Sequence, residues 1–319
     1  MKYTLTINNR EVSHLAAGEI KLTTKRIGAG QLTASLINTA ELNYREGDTV
    51  ILSVDDVTMF KGYVFKKHRN KKQIIETTCY DQIIYLKLNK ETYVYTNMTA
   101  SEIVQKIAGD FGLNTGIIAD TSYKIPARTE DIQTLIDIIY TAIDLTVINT
   151  GNLFVLYDNL GYLTLKNIDA MRLDKIISAE ATLIDYEYTT DIGTSTHNKI
   201  KLVRDNETTG RRDVFIEKDS SNINRWGLLQ LHEKVSDSLT QGQVISLARR
   251  KLNLYNRVKR TLKLNELTAD PNIRAGNSIL ANIPYLGDIH LNTWLVIERC
   301  IHTLTNSSHT MALEMTGDF

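Results

Sequence analysis

The chain has 319 residues, enough for two or three units with sizeable cores, and its 42% hydrophobic and 23% charged content is ordinary for a globular protein. Lys+Arg and Asp+Glu balance at 37 each, which excludes an overall basic field for holding nucleic acid. The opening MKYTLTINNREV alternates without a continuous apolar run, and the richest apolar stretch, Leu135 to Ile148, carries Asp137 and Asp144; neither a signal peptide nor a membrane span is expected, and synthesis in a cytosol is.

Residues up to about Leu88 read as strands. Alternating runs occur at Tyr3-Leu5-Ile7, Ile20-Leu22, Leu32-Ala34-Leu36, Val50-Leu52-Val54, Phe60 to Phe65 and Ile74 to Tyr80, separated by polar turns. Gln82 to Leu88 is apolar enough for a short closing helix or strand. At Thr99 the pattern changes. Thr99-Ala100-Ser101-Glu102 is a capping box, Ile103, Ile107, Ala108 and Phe111 follow at helical spacing, and Gly112 is the expected stop. A second helix is expected after Thr129, from the stripe Ile132, Leu135, Ile136, Ile139, Tyr140 and Ile143. Leu153 to Leu156 and Tyr162 to Leu165 then flank the turn Tyr157-Asp158-Asn159-Leu160-Gly161 as a hairpin.

From about Ala179 strands return: Ile184-Tyr186-Tyr188, Ile200-Leu202, Val214-Ile216, Leu229-Leu231 and Val258-Leu262-Leu264. One helix interrupts them, opened by the capping box Thr240-Gln241-Gly242-Gln243 and carrying Arg249, Arg250 and Lys251 on exposed turns. The fold class expected is mainly β with an α+β part. A first β-barrel covers 1–94, an α+β module 95–178, and a second, similar β-barrel 179–319, with a helix inserted at 240–256. With only three prolines and no Pro/Ser/Gly-rich linker, these parts should pack directly on each other.

The two barrels are expected to be similar because the chain's end echoes an earlier stretch. Gly47-Asp48 and Gly276-Asn277 each precede a short apolar strand. A second strand ending at Val64 or Val296 follows, then a polar turn, then a third strand ending near Asp81 or Asp318. Two copies of one unit without a catalytic cluster point to a building block.

Gly47-Asp48-Thr49-Val50, Gly62-Tyr63-Val64-Phe65, Cys79-Tyr80-Asp81 and Thr99-Ala100-Ser101-Glu102-Ile103-Val104 resemble the matching motifs of the baseplate hub proteins of contractile phage tails and phage-tail-like bacteriocins. In particular, they resemble the late-control, or tail-hub, family of defective prophages. The resemblance implies a homotrimer whose two similar barrels per chain form a pseudo-six-fold ring. That ring would join a hexameric tail tube to a trimeric central spike and touch neighbouring baseplate proteins. It also implies a place in a virion or tail-like particle assembled in the bacterial cytoplasm. Some hubs carry fused wall-degrading domains; this chain ends just past the second barrel, so none is expected here.

The residues that invite chemistry have plainer readings. Lys66-Lys67-His68-Arg69-Asn70-Lys71-Lys72 reads as a solvated hairpin tip or a docking patch for an acidic neighbour, and no aromatic platform interleaves it for nucleic acid. Arg26 to Gln31 lacks the third glycine and the helix of a phosphate loop. His302 and His309 flank a turn without a ligand set beside them, and His232-Glu233 lacks a second zincin histidine. Asp55-Asp56 reads as a turn, Asp81 as a cap, and Ser220-Ser221 lacks a nucleophile-elbow frame. Cys79 and Cys300 lie in strand-like runs as buried, reduced thiols. No catalytic, cofactor-binding or metal residue is expected. The rival readings are a wall hydrolase and a carbohydrate-binding tail component, the latter needing exposed pairs such as Tyr93 and Tyr95 or Tyr186 and Tyr188.

Overall fold

The computed structural model describes residues 2–40, 42–69, 71, 73–178, 185–206, 210–237, 239–286 and 289–317. The first part is all strand: β1 (Tyr3–Ile7), β2 (Arg10–Glu11), β3 (Ile20–Lys25), β4 (Gln31–Ile37), β5 (Thr49–Val54), β6 (Val57–Arg69) and β7 (Ile74–Tyr80). Strict alternation puts Leu5, Leu22, Leu32, Leu36, Leu52 and Ile75 into one core. Asp55 and Asp56 make the two-residue turn between β5 and β6 with φ of 43° and 69°, the left-handed backbone that Asp tolerates better than most residues. β6 does not stop at Val64. It runs on through Lys66, Lys67, His68 and Arg69, so most of the expected polar turn is strand.

Next come α1 (Ile83–Leu88), which settles the helix-or-strand alternative, β8 (Lys90–Tyr95), α2 (Ala100–Asp110), β9 (Thr115–Ile118), β10 (Arg128–Thr134), α3 (Leu135–Thr150), β11 (Phe154–Asp158) and β12 (Leu163–Asn167). The capping box opens α2: Glu102 N donates to Thr99 Oγ1 at 3.2 Å and Thr99 N to Glu102 Oε2 at 2.7 Å. α3 starts at Leu135 under the cap of Thr134, later than its stripe predicted. Residues 128–134 pair with β8 instead, and a bulge between Glu130 and Gln133 leaves Ile132 exposed at φ 49°. Ile132 matches the helical spacing by position, but the ladder to β8 takes its backbone. β11 and β12 form the expected hairpin, and β9 adds to β12 in parallel. α2 and α3 pack with these strands around a core of their own.

The last part holds β13 (Arg172–Ser178), β14 (Tyr186–Asp191), β15 (Lys199–Asn206), β16 (Arg211–Lys218), α4 (Ser220–Trp226), β17 (Gln230–Lys234), α5 (Gln241–Tyr255), β18 (Lys259–Thr268), β19 (Ser278–Leu286), β20 (Ile289–Leu304) and β21 (His309–Thr316). Ile184 and Asp318, expected at strand ends, lie outside the described residues. The strands read at Ile200, Val214 and Leu229 do not extend the sheet of this part. They form a separate sheet, β16-β15-β17, whose Ile200 and Leu202 pack against Val244 and Ala248 of α5. Alternation identifies a strand but not its partner. Lys251, read as exposed, is buried in an ion pair with Glu233 at 2.5 Å.

The remaining strands form one 13-stranded sheet in the order β14-β18-β21-β20-β3-β4-β7-β6-β5-β1-β2, with β19 on β20 and β13 on β19. β20 is the hinge of this order. Ser278 to Leu286 of β19 pair with its first half, and β21 and β3 flank its second half. Val296 is therefore mid-strand, not the expected end.

The echo in the sequence is an echo in hydrogen bonds. Gly47 N donates to Val64 O and Gly276 N to Ile297 O, both at 2.8 Å; Val64 N returns to Asp48 O and Ile297 N to Asn277 O, both at 2.9 Å. The side chains of Asp48 and Asn277 each accept from the backbone three residues earlier, Arg45 N at 2.9 Å and Arg274 N at 2.8 Å. The same register shift follows: Val64↔Cys79 then Lys66↔Thr78, and Ile297↔Met315 then Arg299↔Glu314. β5-β6-β7 and β19-β20-β21 are one meander built twice.

Gly47 and Gly276 sit at φ 89° and 90° in the same turn, but only at Gly276 would a Cβ meet a neighbour, Val155 Cγ1 at 2.5 Å. Gly47→Ala is expected to cost of order 1–3 kcal/mol from backbone strain alone. Gly276→Ala should cost about 1–3 kcal/mol more from overpacking. Urea midpoints of the two variants, measured side by side, check that order.

Candidate functional site

The structure disperses the chemical candidates. Asp55 lies in its turn and accepts from Lys2 N at 2.7 Å. His232 and Glu233 lie on β17, and Ser220 and Ser221 begin α4 under the cap of Asp219. Gly28 to Gly30 joins two strands, and Gly30 N donates to Asp81 Oδ2 at 2.7 Å. Asp81 also accepts from Ile83 N at 3.0 Å, the capping role its position predicted. Tyr93 and Tyr95 are buried, with hydroxyls on Asp110 and Glu130 at 2.7 and 3.2 Å, so they form no sugar platform. Among the described residues no group of three His, Cys, Asp or Glu is placed to hold a metal ion.

Two buried polar clusters do form, and the first fastens the parts together. In the first, the Arg274 guanidinium lies 4.1 Å over the Tyr157 ring and donates from Nη1 to Asp158 O at 2.8 Å. Asp81 and Asp158 line the same cavity of about 190 Å³. Burial pushes both carboxyls above their usual range, and the Asp158 charge adds to the effect on Asp81. Asp158 and Arg274 carried no sequence signal of this role. One ends β11 at the mouth of a hairpin turn and the other stands before the repeated Gly-polar pair.

The second cluster is Cys300, His302 and His309. The two histidines meet across the hairpin, with His302 Nδ1 3.0 Å from His309 Nε2. His302 Nε2 donates to Ile273 O at 2.8 Å, so Nδ1 is left to accept from His309. Cys300 Sγ lies 3.3 Å from that same Nε2. Cys300 and His309 thus address opposite nitrogens of one ring, which no single ion can bridge. Burial pushes the thiols of Cys79 and Cys300 up to about 12, so both stay protonated.

The surface offers edges and one cleft. A cleft of about 970 Å³ lies between α3 and α5, lined in part by Asp144, Arg250 and Tyr255. Arg249 is exposed and pairs with Glu217 at 3.0 Å, while Arg250 bonds to Asn149. Of the basic run, Lys66, His68 and Arg69 are exposed on β6, and Asn70 and Lys72 lie outside the described residues. β14 ends the large sheet, with Tyr186 exposed on it.

With this geometry the comparisons are specific. Residues 20–316 match the YQBQ-like family. The chain belongs to that family. One relative is the phage-like element PBSX protein XkdQ of Bacillus subtilis (strain 168), 30% identical over 272 residues, 85% of this chain and 81% of that protein. The fold is also that of the 43 kDa tail protein of prophage MuSo2 from Shewanella oneidensis, with a TM-score of 0.71 over 99% of this chain and 98% of that one at 10% identity. A third likeness is E. coli c3393, described as a type VI secretion component with structural similarity to the T4 tail proteins gp27 and gp5. Its TM-score is 0.57 at 10% identity, over 99% of this chain and 77% of that one. The resemblance read from the Gly-Asp, Gly-Tyr-Val and Thr-Ala-Ser-Glu motifs therefore holds along the YQBQ-like chain.

In this YQBQ-like chain the histidine pair makes stability depend on pH. Burial lowers His302 from an ordinary 6.5 to about 4 and lowers His309 as well. The folded state then binds fewer protons than the unfolded one, so the stabilisation is complete above about pH 6.5 and is lost as pH falls through 4. Unfolding free energy should drop between pH 7 and pH 4 by about 3 kcal/mol more in the native chain than in His302→Gln. Urea titrations of both proteins at a series of pH values measure the difference.

Proposed function

We propose that this chain is a non-enzymatic hub of a tail baseplate, a homotrimer that joins a six-fold tail tube to a three-fold central spike. The observation that carries the reading is the meander built twice, with matching turns, bonds and bulges, in one chain. Three copies of a chain with two equivalent units present six similar surfaces in a ring, which a six-fold partner can meet, while the chain itself repeats three times for a three-fold one. Both repeats would close as small barrels in that ring.

The relatives support the setting: one is named for a phage-like element, one for a prophage tail, and one for a secretion machine likened to phage tail proteins. Neighbouring baseplate proteins would complete the contacts, in a particle assembled in the bacterial cytoplasm. Asp81 is tied to the backbone N–H groups of Gly30 and Ile83, and Cys300 stays a protonated thiol beside His302, which supports a mechanical role; the burial of Tyr93 and Tyr95 takes away the best sugar-binding pair.

Light scattering on the purified protein tests this, alone and with its spike. The expected mass is three times the 36.1 kDa chain, alone or on adding the spike. A mass of one chain under both conditions would sink the reading.

A further inference from the structure

The seam between the repeats is a strand joint. β3 pairs with the far half of β20, from Arg299↔Lys25 to Leu304↔Ile20, and Arg26 N donates to Glu298 O at 2.9 Å where the joint begins. Each half of this joint has a counterpart in the other repeat. The equivalence of Ile297 and Val64 maps Glu298 to Phe65 and Arg299 to Lys66. On the other side, Leu22↔Leu32↔Cys79 matches Tyr188↔Leu262↔Met315. Leu22 therefore maps to Tyr188 and Lys25 to Asp191.

No strand pairs with either counterpart edge among the described residues. Among the described residues β6 pairs with β5 only from Val57 to Tyr63, which leaves that side free beyond Val64, and β14 pairs only with β18. An unpaired edge of this kind is a template for another strand. The chain uses its joint once, internally, and leaves one half at each end.

We infer that β14 of one copy docks on the far half of β6 of a second copy, antiparallel, with Asp191 opposite Lys66, Thr190 opposite Lys67 and Thr189 opposite His68. The charges fit this register. The β6 edge carries Lys66, Lys67, His68 and Arg69, and β14 and its start carry Asp185, Glu187 and Asp191. Opposite charges facing across strands favour pairing, and like charges facing oppose it. Where the internal joint opens with the ion pair Arg26–Glu298 at 2.9 Å, the contact between copies opens with Ile192 facing Phe65. The basic run of β6 thereby gains an acidic neighbour, and that neighbour is a second copy of this chain. Because the two edges differ, the contact is head-to-tail and propagates until a ring closes. The inference rests on the trimeric reading only for the number of copies.

Cysteine trapping tests it. Directly opposed residues on antiparallel strands lie about 4.5–5.5 Å apart at Cα, within disulfide reach. Lys66→Cys and Asp191→Cys are made as separate full-length proteins, mixed and oxidised mildly; the native Cys79 and Cys300 are buried and protonated and stay silent. The expected result is a reducible band at twice 36.1 kDa in the mixture and in neither protein alone. Lys66→Cys mixed with Tyr186→Cys, out of register, should give none. Light scattering on the same samples separates the failures. A trimer mass without the band overturns this strand pairing and leaves the hub reading standing. A single-chain mass without the band, both alone and with the spike added, overturns both. A band of equal strength from the out-of-register mixture overturns the register.

Discussion

The pairing of β3 with β20 is the constraint on which the rest depends. It joins residues 20–25 to residues 299–304, so strands almost a full chain length apart lie side by side. β20 threads both cores: Cys300 lies in the core of the second repeat and Leu304 in that of the first. The first repeat cannot be completed without the second, because β20 supplies Leu304 to the N-terminal core. The junction follows from the same placement. Once β3 sits beside β20, Ala275 N donates to Thr24 Oγ1 at 2.9 Å, and Arg274 lies over Tyr157 of the middle module. Tyr140 of α3 closes the third side, its hydroxyl on Arg26 O at 3.0 Å. Joints of such sequence separation close late in folding, since loop entropy is lost before the contacts return it.

Local grammar made much of the fold legible. Both capping boxes open the helices they predicted, and the strands of the first part fall where alternation put them. The Gly-polar echo was legible because a turn with φ near 90° requires glycine, and the side chain of Asp48 or Asn277 closes it. What failed were questions of partner. Ile132 matched a helix stripe that β8 overrode, and Lys251 matched an exposed turn until Glu233 arrived from β17. The strands around Ile200 were read as strands and assigned to the wrong sheet. The junction of Asp81, Asp158 and Arg274 was illegible beyond the cap at Asp81, because nothing in a single sequence says that three separate loops converge. The histidine pair was legible as a pair; the third member, Cys300, stands two residues from His302 on one strand face and could have been read from the period of two.

The two repeats are alike where they fold and unlike where they meet other things. Their turns and bulges agree bond for bond, yet β1 lies antiparallel on β5 while β13 lies parallel on β19. Gly47 opens to space and Gly276 presses on Val155, so one turn is free and the other is a packing point for the middle module. The edges differ in charge as well: Lys and Arg on β6, against Glu187 and Asp191 on β14.

Such asymmetry is what a chain with an internal repeat needs if it is to assemble into something closed. Two identical units with identical edges would pair without regard to order, and chains could join first repeat to first repeat or grow without limit. Making one joint covalently obligatory, through the chain that links β3 to β20, fixes the order of repeats within a copy. Giving the remaining edges opposite charge then forbids like edges from meeting, because two basic β6 ends or two acidic β14 strands would repel. The chain as a whole stays neutral, with 37 basic and 37 acidic residues, so the charge that sets order does not oppose association. Composition alone hides this, because a net charge summed over the whole chain does not record that Lys66, Lys67 and Arg69 lie on β6 while Glu187 and Asp191 lie on β14.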